Sequence, residues 1–323
     1  MATLKEIALR TGLSLSTVSI VLRGQARERH IAPQTEALIL ETARSMGYRP
    51  NLSARQLRGQ EKRLLVALYL ADDFRTPMML RFLTGLRQQM AQRPDLELIV
   101  RLYHPGKLAP ALDADMQSRF HAAMICNMAD EDLWALEKNP PRIPLVLYNR
   151  SSRAFPAVEL DNETIGALPA RIFADQGCRR AVFLAPATQF AHQRIRLAAF
   201  HQTAERLGLT VEQHIQPNTI AGGEAAGSAL LSQPPDCIFA TGDKLALGVQ
   251  KALRPLPAAA QPKLIAIANG DPELPEYAGL SAIELPMEDM ARRCFTLLLA
   301  QLNGQPAPSA ILPVRYVPRH TCP

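Results

Sequence analysis

Leu15, Ser16, Thr17, Ser19 and Ile20 fall within six consecutive positions, and all have small or uncharged side chains. On the outer face of a helix such residues enter a DNA major groove without clashing. The hydroxyls bond bases or phosphates, and Leu and Ile touch a thymine methyl. Arg10, Arg23, Arg27 and Arg29 flank the stretch and are placed to neutralise phosphates. A plain helical bundle with scattered surface serines would show the same spacing, so the pattern alone leaves both readings open.

Charge favours the first reading. Residues 1–63 hold 11 of the 36 Lys and Arg but 5 of the 30 Asp and Glu, a net +6, whereas the other residues balance at 25 against 25. A small basic head on a neutral body suggests that one end meets a polyanion and the other does something else.

Other chemistries lack their residues. There is no G-x-x-x-x-G-K-[ST] loop, no H-E-x-x-H helix and no G-x-S-x-G elbow. The seven histidines form no ligand-spaced pair, and the five cysteines stand at least 28 residues apart, so neither a metal site nor a disulfide framework is expected. Trp134 reads as a packing residue. No run of 18 apolar residues occurs, and the N-terminus lacks the basic-then-apolar pattern of an export signal. The expectation is a cytoplasmic protein that is not an enzyme, needs no cofactor or metal and meets no membrane. A length of 323 residues with 47% hydrophobic and 20% charged side chains predicts two or three folding units and excludes wholesale disorder.

The elements that would position these residues follow from periodicity. Thr3 with Glu6 forms a capping-box pattern ahead of Leu4, Ile7 and Ala8 on one helical face. Thr11-Gly12-Leu13 breaks that helix. Ser14 caps a second helix with Val18, Val21 and Leu22 inward, ended by Gly24. Pro33 opens a third, with Ile39, Ala43 and Met46 inward, stopped by Gly47 and Pro50. Two short helices joined by a Gly-containing turn, with a third behind, make a helix-turn-helix. From Leu64 onward apolar runs alternate with helical segments: 64–70, 96–102, 122–126, 145–148, 181–185, 237–240 and 264–268. That alternation predicts parallel sheets covered by helices on both faces, with ligands beyond the carboxyl ends of the strands. Those ends hold Asp72 and Asp73, Tyr148 to Arg150, Gly242 and Asp243, and Asn269 to Asp271.

The stretch T-L-K-E-I-A-L-R-T-G-L-S-L-S-T-V-S-I-V-L from Thr3 to Leu22 closely resembles the N-terminal signature of LacI-type transcription regulators. Gly47-Tyr48-Arg49-Pro50-Asn51, followed by Ala54-Arg55-Gln56-Leu57-Arg58, resembles that family's second signature. The resemblance implies that the second helix, with Arg23 beside it, reads the major groove of a near-palindromic operator as a homodimer. Asn51, Ala54, Arg55, Leu57 and Arg58 would belong to a hinge helix formed on DNA, with Leu57 as a minor-groove wedge. Two departures stand out: Ile20 replaces a base-contacting arginine, and Ala32 replaces a serine cap, which costs about 1 kcal/mol unless another group substitutes.

In the body, Asp73-Phe74-Arg75-Thr76-Pro77 resembles the family's D-x-x-N-P and Leu160-Asp161-Asn162 its V-D-N crossover. Arg196-Leu197-Ala198-Ala199-Phe200 resembles R-x-x-G-F, and Leu285-Pro286 to Met290 the Q-P-x-x-x-M stretch. The implied architecture is an N-terminal helix-turn-helix domain followed by a two-lobed periplasmic-binding-protein-like domain, with crossovers near Asp161, Pro286 and Pro313. The expected division is 1–49 for DNA binding, 50–62 for hinge and linker, and 63–323 for effector binding and dimerisation. Within the last, one lobe takes about 63–161 and 287–312, and the other about 162–286 and 313–323. The resemblance makes Arg196 the residue that holds a sugar hydroxyl or phosphate. It matches Asn149 and Arg150 to a D-R pair and places Met78 where aromatics line the cleft; Asp73, Arg75, His192, Asp243 and Asp271 complete the expected contacts. The family's A-N-D becomes Thr241-Gly242-Asp243 and its G-F-D-D becomes Ala268-Asn269-Gly270-Asp271, so two groups that grip sugar hydroxyls are missing. Gly270-Asp271-Pro272-Glu273-Leu274 and the long basic loop after Gly24 resemble the fructose and sucrose repressor branch, which points to a sugar or sugar-phosphate effector. A solute-binding protein would share the two lobes but carry an export signal and no helix-turn-helix. A sugar-phosphate enzyme would need a base or metal cluster that the sequence does not show.

Overall fold

The computed structural model describes residues 4–22, 26, 29, 31–46, 63–72, 76–116, 120–126, 128–141, 143–186, 190–268 and 277–323. The chain divides into two units, Met1–Arg63 and Leu64–Pro323.

The first unit holds α1 (Leu4–Thr11), α2 (Leu15–Leu22) and α3 (Pro33–Ser45). Ile7, Val18, Val21, Ala26, Ile39 and Ala43 form its core, with Leu4, Ala8, Leu22 and Met46 packed around them. These are the i, i+3, i+4 faces that the spacing predicts. Gly12 takes φ +68, which costs a residue without a β-carbon nothing, and Leu13 N donates to the Ala8 carbonyl at 3.2 Å. This left-handed step ends α1 and lets α2 begin two residues later. Pro33 sits in the first turn of α3, where its missing N–H leaves no bond unmade.

The second unit contains two six-stranded sheets. The first has strand order β11-β5-β4-β3-β1-β2, built from β1 (Leu64–Ala71), β2 (Leu96–Tyr103), β3 (Ala122–Cys126), β4 (Leu145–Tyr148), β5 (Ala157–Leu160) and β11 (Ala310–Leu312). Its helices are α4 (Thr76–Met90), α5 (Leu108–Met116), α6 (Asp130–Lys138) and α11 (Met287–Leu302). The second has order β12-β10-β9-β8-β6-β7, from β6 (Arg180–Ala185), β7 (Thr210–Ile215), β8 (Cys237–Ala240), β9 (Lys263–Ala268), β10 (Ser281–Glu284) and β12 (Arg315–Val317). Its helices are α7 (Asn162–Asp175), α8 (Ala191–Arg206), α9 (Ile220–Leu230) and α10 (Asp243–Leu253). Every pairing is parallel except β12 against β10. The chain passes between the sheets three times: at Asp161 after β5, at Pro286 after β10, and between β11 and β12.

Burial on both faces explains the unbroken apolar runs. In β1, Val66, Leu68 and Leu70 join one core cluster while Ala67, Tyr69 and Ala71 join the other, so neither face faces water. In the second sheet Phe183, Phe200 and Phe239 stack with ring centroids 5.4 to 5.5 Å apart. All five cysteines are buried free thiols, and burial pushes those of Cys126, Cys237 and Cys294 upward.

Five strands escape the sequence pattern. β5, β10 and β12 are short and carry Glu159, Ser281 and Glu284, and Arg315 among their few residues, β11 has three residues, and β7 (T-V-E-Q-H-I) is an edge strand whose polar positions interrupt the apolar signal. Trp134 also departs from expectation. It is 65% exposed on α6, and Lys138 Nζ lies 4.8 Å from its ring centroid, so a cation takes the place of a packed core.

α9 and α10 meet through glycines. A β-carbon at Gly248 would overlap the Ile220 carbonyl oxygen and lie 2.6 Å from Glu224 N. Gly248→Ala should therefore destabilise the second unit by about 1–3 kcal/mol, as overpacking does. Urea unfolding followed by circular dichroism checks this, and an unchanged midpoint would show that the helix pair has slack.

Candidate functional site

The DNA-facing candidate is α2. Ser14 starts it: its Oγ accepts from Thr17 N at 3.1 Å and lies 2.8 Å from Thr17 Oγ1. Leu15 and Ser16 are exposed at the N-terminal end of the helix, and Thr17 and Ile20 are half-buried. Ser19 is different. It is 8% exposed, next to buried Val18, so the even outer face read from the sequence is interrupted there. Arg10 and Arg29 are exposed. Arg23, Arg27, Asn51, Ala54, Arg55, Leu57 and Arg58 lie outside the described residues.

The ligand-facing candidate lies at the carboxyl ends of the strands in the second unit. After β4, Asn149 takes φ +50, a conformation that Asn tolerates better than most side chains, and its N–H donates to the Val158 carbonyl at 2.7 Å. Arg150 follows and bonds Asp130 at the start of α6, the helix after β3. Asp130 also accepts from Arg194 NH2 at 3.0 Å. Arg194 belongs to α8, which follows β6 of the other sheet, so one carboxylate joins the two strand-end rims. The Arg150 guanidinium, then Arg194, holds the Asp130 carboxyl below the usual carboxylate range. The bridge is therefore intact at neutral pH and is lost only as pH falls through that lowered value.

On the second rim Arg196 is 3% exposed, and its Nε donates to Asn162 Oδ1 at 2.9 Å. A β-carbon at Gly166 of α7 would overlap the Arg196 carbonyl oxygen, so the close approach of α7 and α8 sets the height of this turn. Gln193, 9% exposed, accepts from Phe190 N through Oε1 at 3.0 Å. His192 stacks on Phe190 with ring centroids 5.7 Å apart. Asp243 is buried at the first position of α10, where its Oδ1 accepts from Lys244 N at 2.8 Å. Met78 is buried among Met79, Phe82 and Leu86, so its side chain packs in the first sheet's core cluster. Asp73, Arg75 and Asp271 lie outside the described residues.

Four buried polar atoms along these rims have no hydrogen-bond partner: Asn149 Oδ1, Arg150 Nε, Gln193 Nε2 and Asn218 Oδ1. An unsatisfied buried group costs about 1–3 kcal/mol, so these atoms, at strand ends of both sheets, are candidates to meet a polar ligand. Asp130, Gln193, Arg194 and Asn218 escape sequence reasoning. The first three stand in helical first turns whose charge and amide content look like ordinary solvated ends, and Asn218 lies in an irregular loop. Asn162 was within reach, as the last residue of the crossover motif. No group of three or more metal-binding side chains occurs among the described residues, and no described helix is long and apolar enough to cross a membrane.

Comparison with known proteins finds relatives of both parts of the chain. Residues 3–51 match the family model described as "Bacterial regulatory proteins, lacI family", and residues 170–322 match "Periplasmic binding protein-like domain". The chain is 24% identical to the HTH-type transcriptional repressor CytR of Escherichia coli (strain K12), over 94% of its own length and 91% of the relative's. It is 25% identical to the sucrose operon repressor of Klebsiella pneumoniae, over 98% and 96%. Among solved structures, a LacI family transcription regulator from Clostridium acetobutylicum aligns with TM-score 0.74 and 25% identity, covering 79% of this chain and 99% of that one.

The Ser14 cap gives the first unit a direct test. Ser14→Ala should lower its stability by about 1 kcal/mol, and Ser14→Asp, which keeps an acceptor, should lose much less. The two variants are compared by urea unfolding followed by circular dichroism. Equal losses would mean that the hydroxyl is not what starts α2.

Proposed function

Because the chain belongs to the LacI-type family of transcriptional regulators, we propose that it is a repressor whose operator affinity is set by a small sugar or sugar-phosphate effector held between the two lobes of the second unit. Residues 1–49 read the operator through Leu15, Ser16, Thr17 and Ile20, residues 50–62 form the hinge, and residues 63–323 bind effector and dimerise.

The observation that carries the effector reading is the set of four buried, unpartnered polar atoms on facing rims. Arg150 gives that surface a cationic side. A guanidinium with a free Nε suits the oxygens of a phosphate, and its hold on Asp130 shows an anion already drawn to it. A repressor of this kind responds only if the effector binds its DNA-free and DNA-bound arrangements unequally, and operator DNA then shifts effector affinity by the same factor.

A homodimer is the natural reader of a near-palindromic site. Leu98, Val100 and Leu102 share one face of the edge strand β2, and Val100 and Leu102 are exposed, as is Leu80 on α4. This apolar strip supports pairing with a second copy.

Two measurements test the proposal. Calorimetry with fructose, fructose 1-phosphate, ribose, ribose 5-phosphate and gluconate should find at least one ligand that also changes operator affinity in gel-shift titrations. Arg150→Gln should then weaken a phosphorylated ligand about ten- to a hundredfold, the range of a charge-assisted bond, while changing its parent sugar far less. Absence of any ligand-dependent change in operator affinity across the panel would defeat the effector reading. Independently, the pair Val100→Lys and Leu102→Lys should convert a dimer into a monomer by light scattering, and a dimer that persists would move the interface elsewhere.

A further inference from the structure

Gly242 needs a reason to be glycine. Its φ of −147 is extended backbone that any residue adopts, so conformation does not require it. Space does. A β-carbon at this position would stand 2.6 Å from Asn218 Oδ1, with Leu245 Cδ1 the next side-chain group beyond Asn218 at 3.8 Å. The carboxamide of Asn218 thus lies over the bare Cα of Gly242.

The backbone that carries that amide is anchored. Asn218 lies at the carboxyl end of β7, directly ahead of Thr219, whose Oγ1 accepts from Gly222 N at 2.9 Å and caps α9. β7, β6 and β8 are neighbours in the second sheet, so Asn218, Gln193 and Gly242 sit beyond three adjacent parallel strand ends. Asn218 Oδ1 and Gln193 Nε2 are both buried and both lack a hydrogen bond. Gln193 cannot turn toward the backbone to satisfy itself, because its other amide atom is held by Phe190 N. The pair therefore offers one acceptor and one donor, the complement of a hydroxyl, which donates and accepts at once.

We propose that Asn218, seated over Gly242, is the amide with which the second lobe reads a ligand hydroxyl, in the place that an asparagine at position 242 would otherwise fill. The amide has moved from one strand-end loop to its neighbour, and glycine at 242 is the vacancy that admits it. The ligand class that fits is a small polyhydroxy compound with an anionic group at its other end, because the opposite rim presents Arg150. This inference rests on the reading of the cleft as the effector site.

The test uses the full chain and the wild-type ligand panel of sugars, sugar phosphates and gluconate, extended by deoxy analogues of whichever compound binds. Wild type should prefer the hydroxylated ligand to one deoxy analogue by about three- to tenfold, the range of one hydrogen bond, and Asn218→Ala should erase that preference while leaving those against the other deoxy analogues. Gly242→Ala should do the same with little change in thermal midpoint, because what its methyl displaces is the end of a side chain. The double variant should lose no more than Asn218→Ala alone, since both act through one amide. Asn218→Ala combined with Gly242→Asn should recover part of the discrimination. If wild type binds a panel member and Asn218→Ala keeps every hydroxyl preference, this inference falls and the effector reading stands. If wild type binds no member, both fall together.

Discussion

The carboxyl edge of a parallel sheet is where the backbone stops satisfying itself. Each strand there hands the chain to a helix, and polar groups in the turns between them must find side chains, water or a ligand. Both sheets of the second unit obey this constraint, and the answers differ by position. Asp161 caps α7 through Thr164 N at 2.9 Å, Thr219 caps α9, and Asp243 bonds the backbone of Lys244. Asn149, Arg150, Gln193 and Asn218 keep an atom unmatched. The site is what remains once capping has used the groups it needs.

Legibility in the sequence follows the same division. Strands buried on two faces write themselves as apolar runs, as β1, β3, β4, β6, β8 and β9 do, and the edge strand β2 is legible because its residues stay mostly apolar although Val100 and Leu102 are exposed. β5 (A-V-E-L), β10 (S-A-I-E) and β12 (R-Y-V) mix polar residues into a few positions, β11 has three residues, and β7 is a polar edge strand, so none leaves such a trace. In the first unit, the inward residues of α1, α2 and α3 are legible because one small core collects them all. Ser19 is buried where the spacing places it outward, because helical spacing gives an angle and not the tertiary packing around a small side chain.

The cleft is legible as a location and less so as chemistry. Strand ends and family motifs lead to Asn149, Arg150, Arg196 and Asp243, but the partners that define their state come from irregular or terminal positions: Asp130, Asn162, Gln193, Arg194 and Asn218. Several of these depend on contacts between distant segments, 34 residues apart for Arg196 with Asn162 and 64 for Arg194 with Asp130. Pattern within a window cannot encode such a pairing. The glycine at 242 shows the limit most clearly, since the sequence reveals a missing side chain and only the fold reveals what occupies its space.

Magnitudes then decide what governs the opening and closing of the lobes. The described ion pair across the rims, Arg194 to Asp130, has half-exposed side chains on both partners, and exposed pairs contribute about 0–1 kcal/mol. The four unmatched buried atoms cost more in sum, at about 1–3 kcal/mol each. The two rims are therefore bridged weakly and carry a larger polar penalty. On the proposed reading a ligand that satisfies those atoms removes that penalty, and it shifts a population only where it does so in one arrangement and not in the other. The bridge through Asp130 joins the two rims, and the unmatched groups are where the proposed effector would gain its affinity.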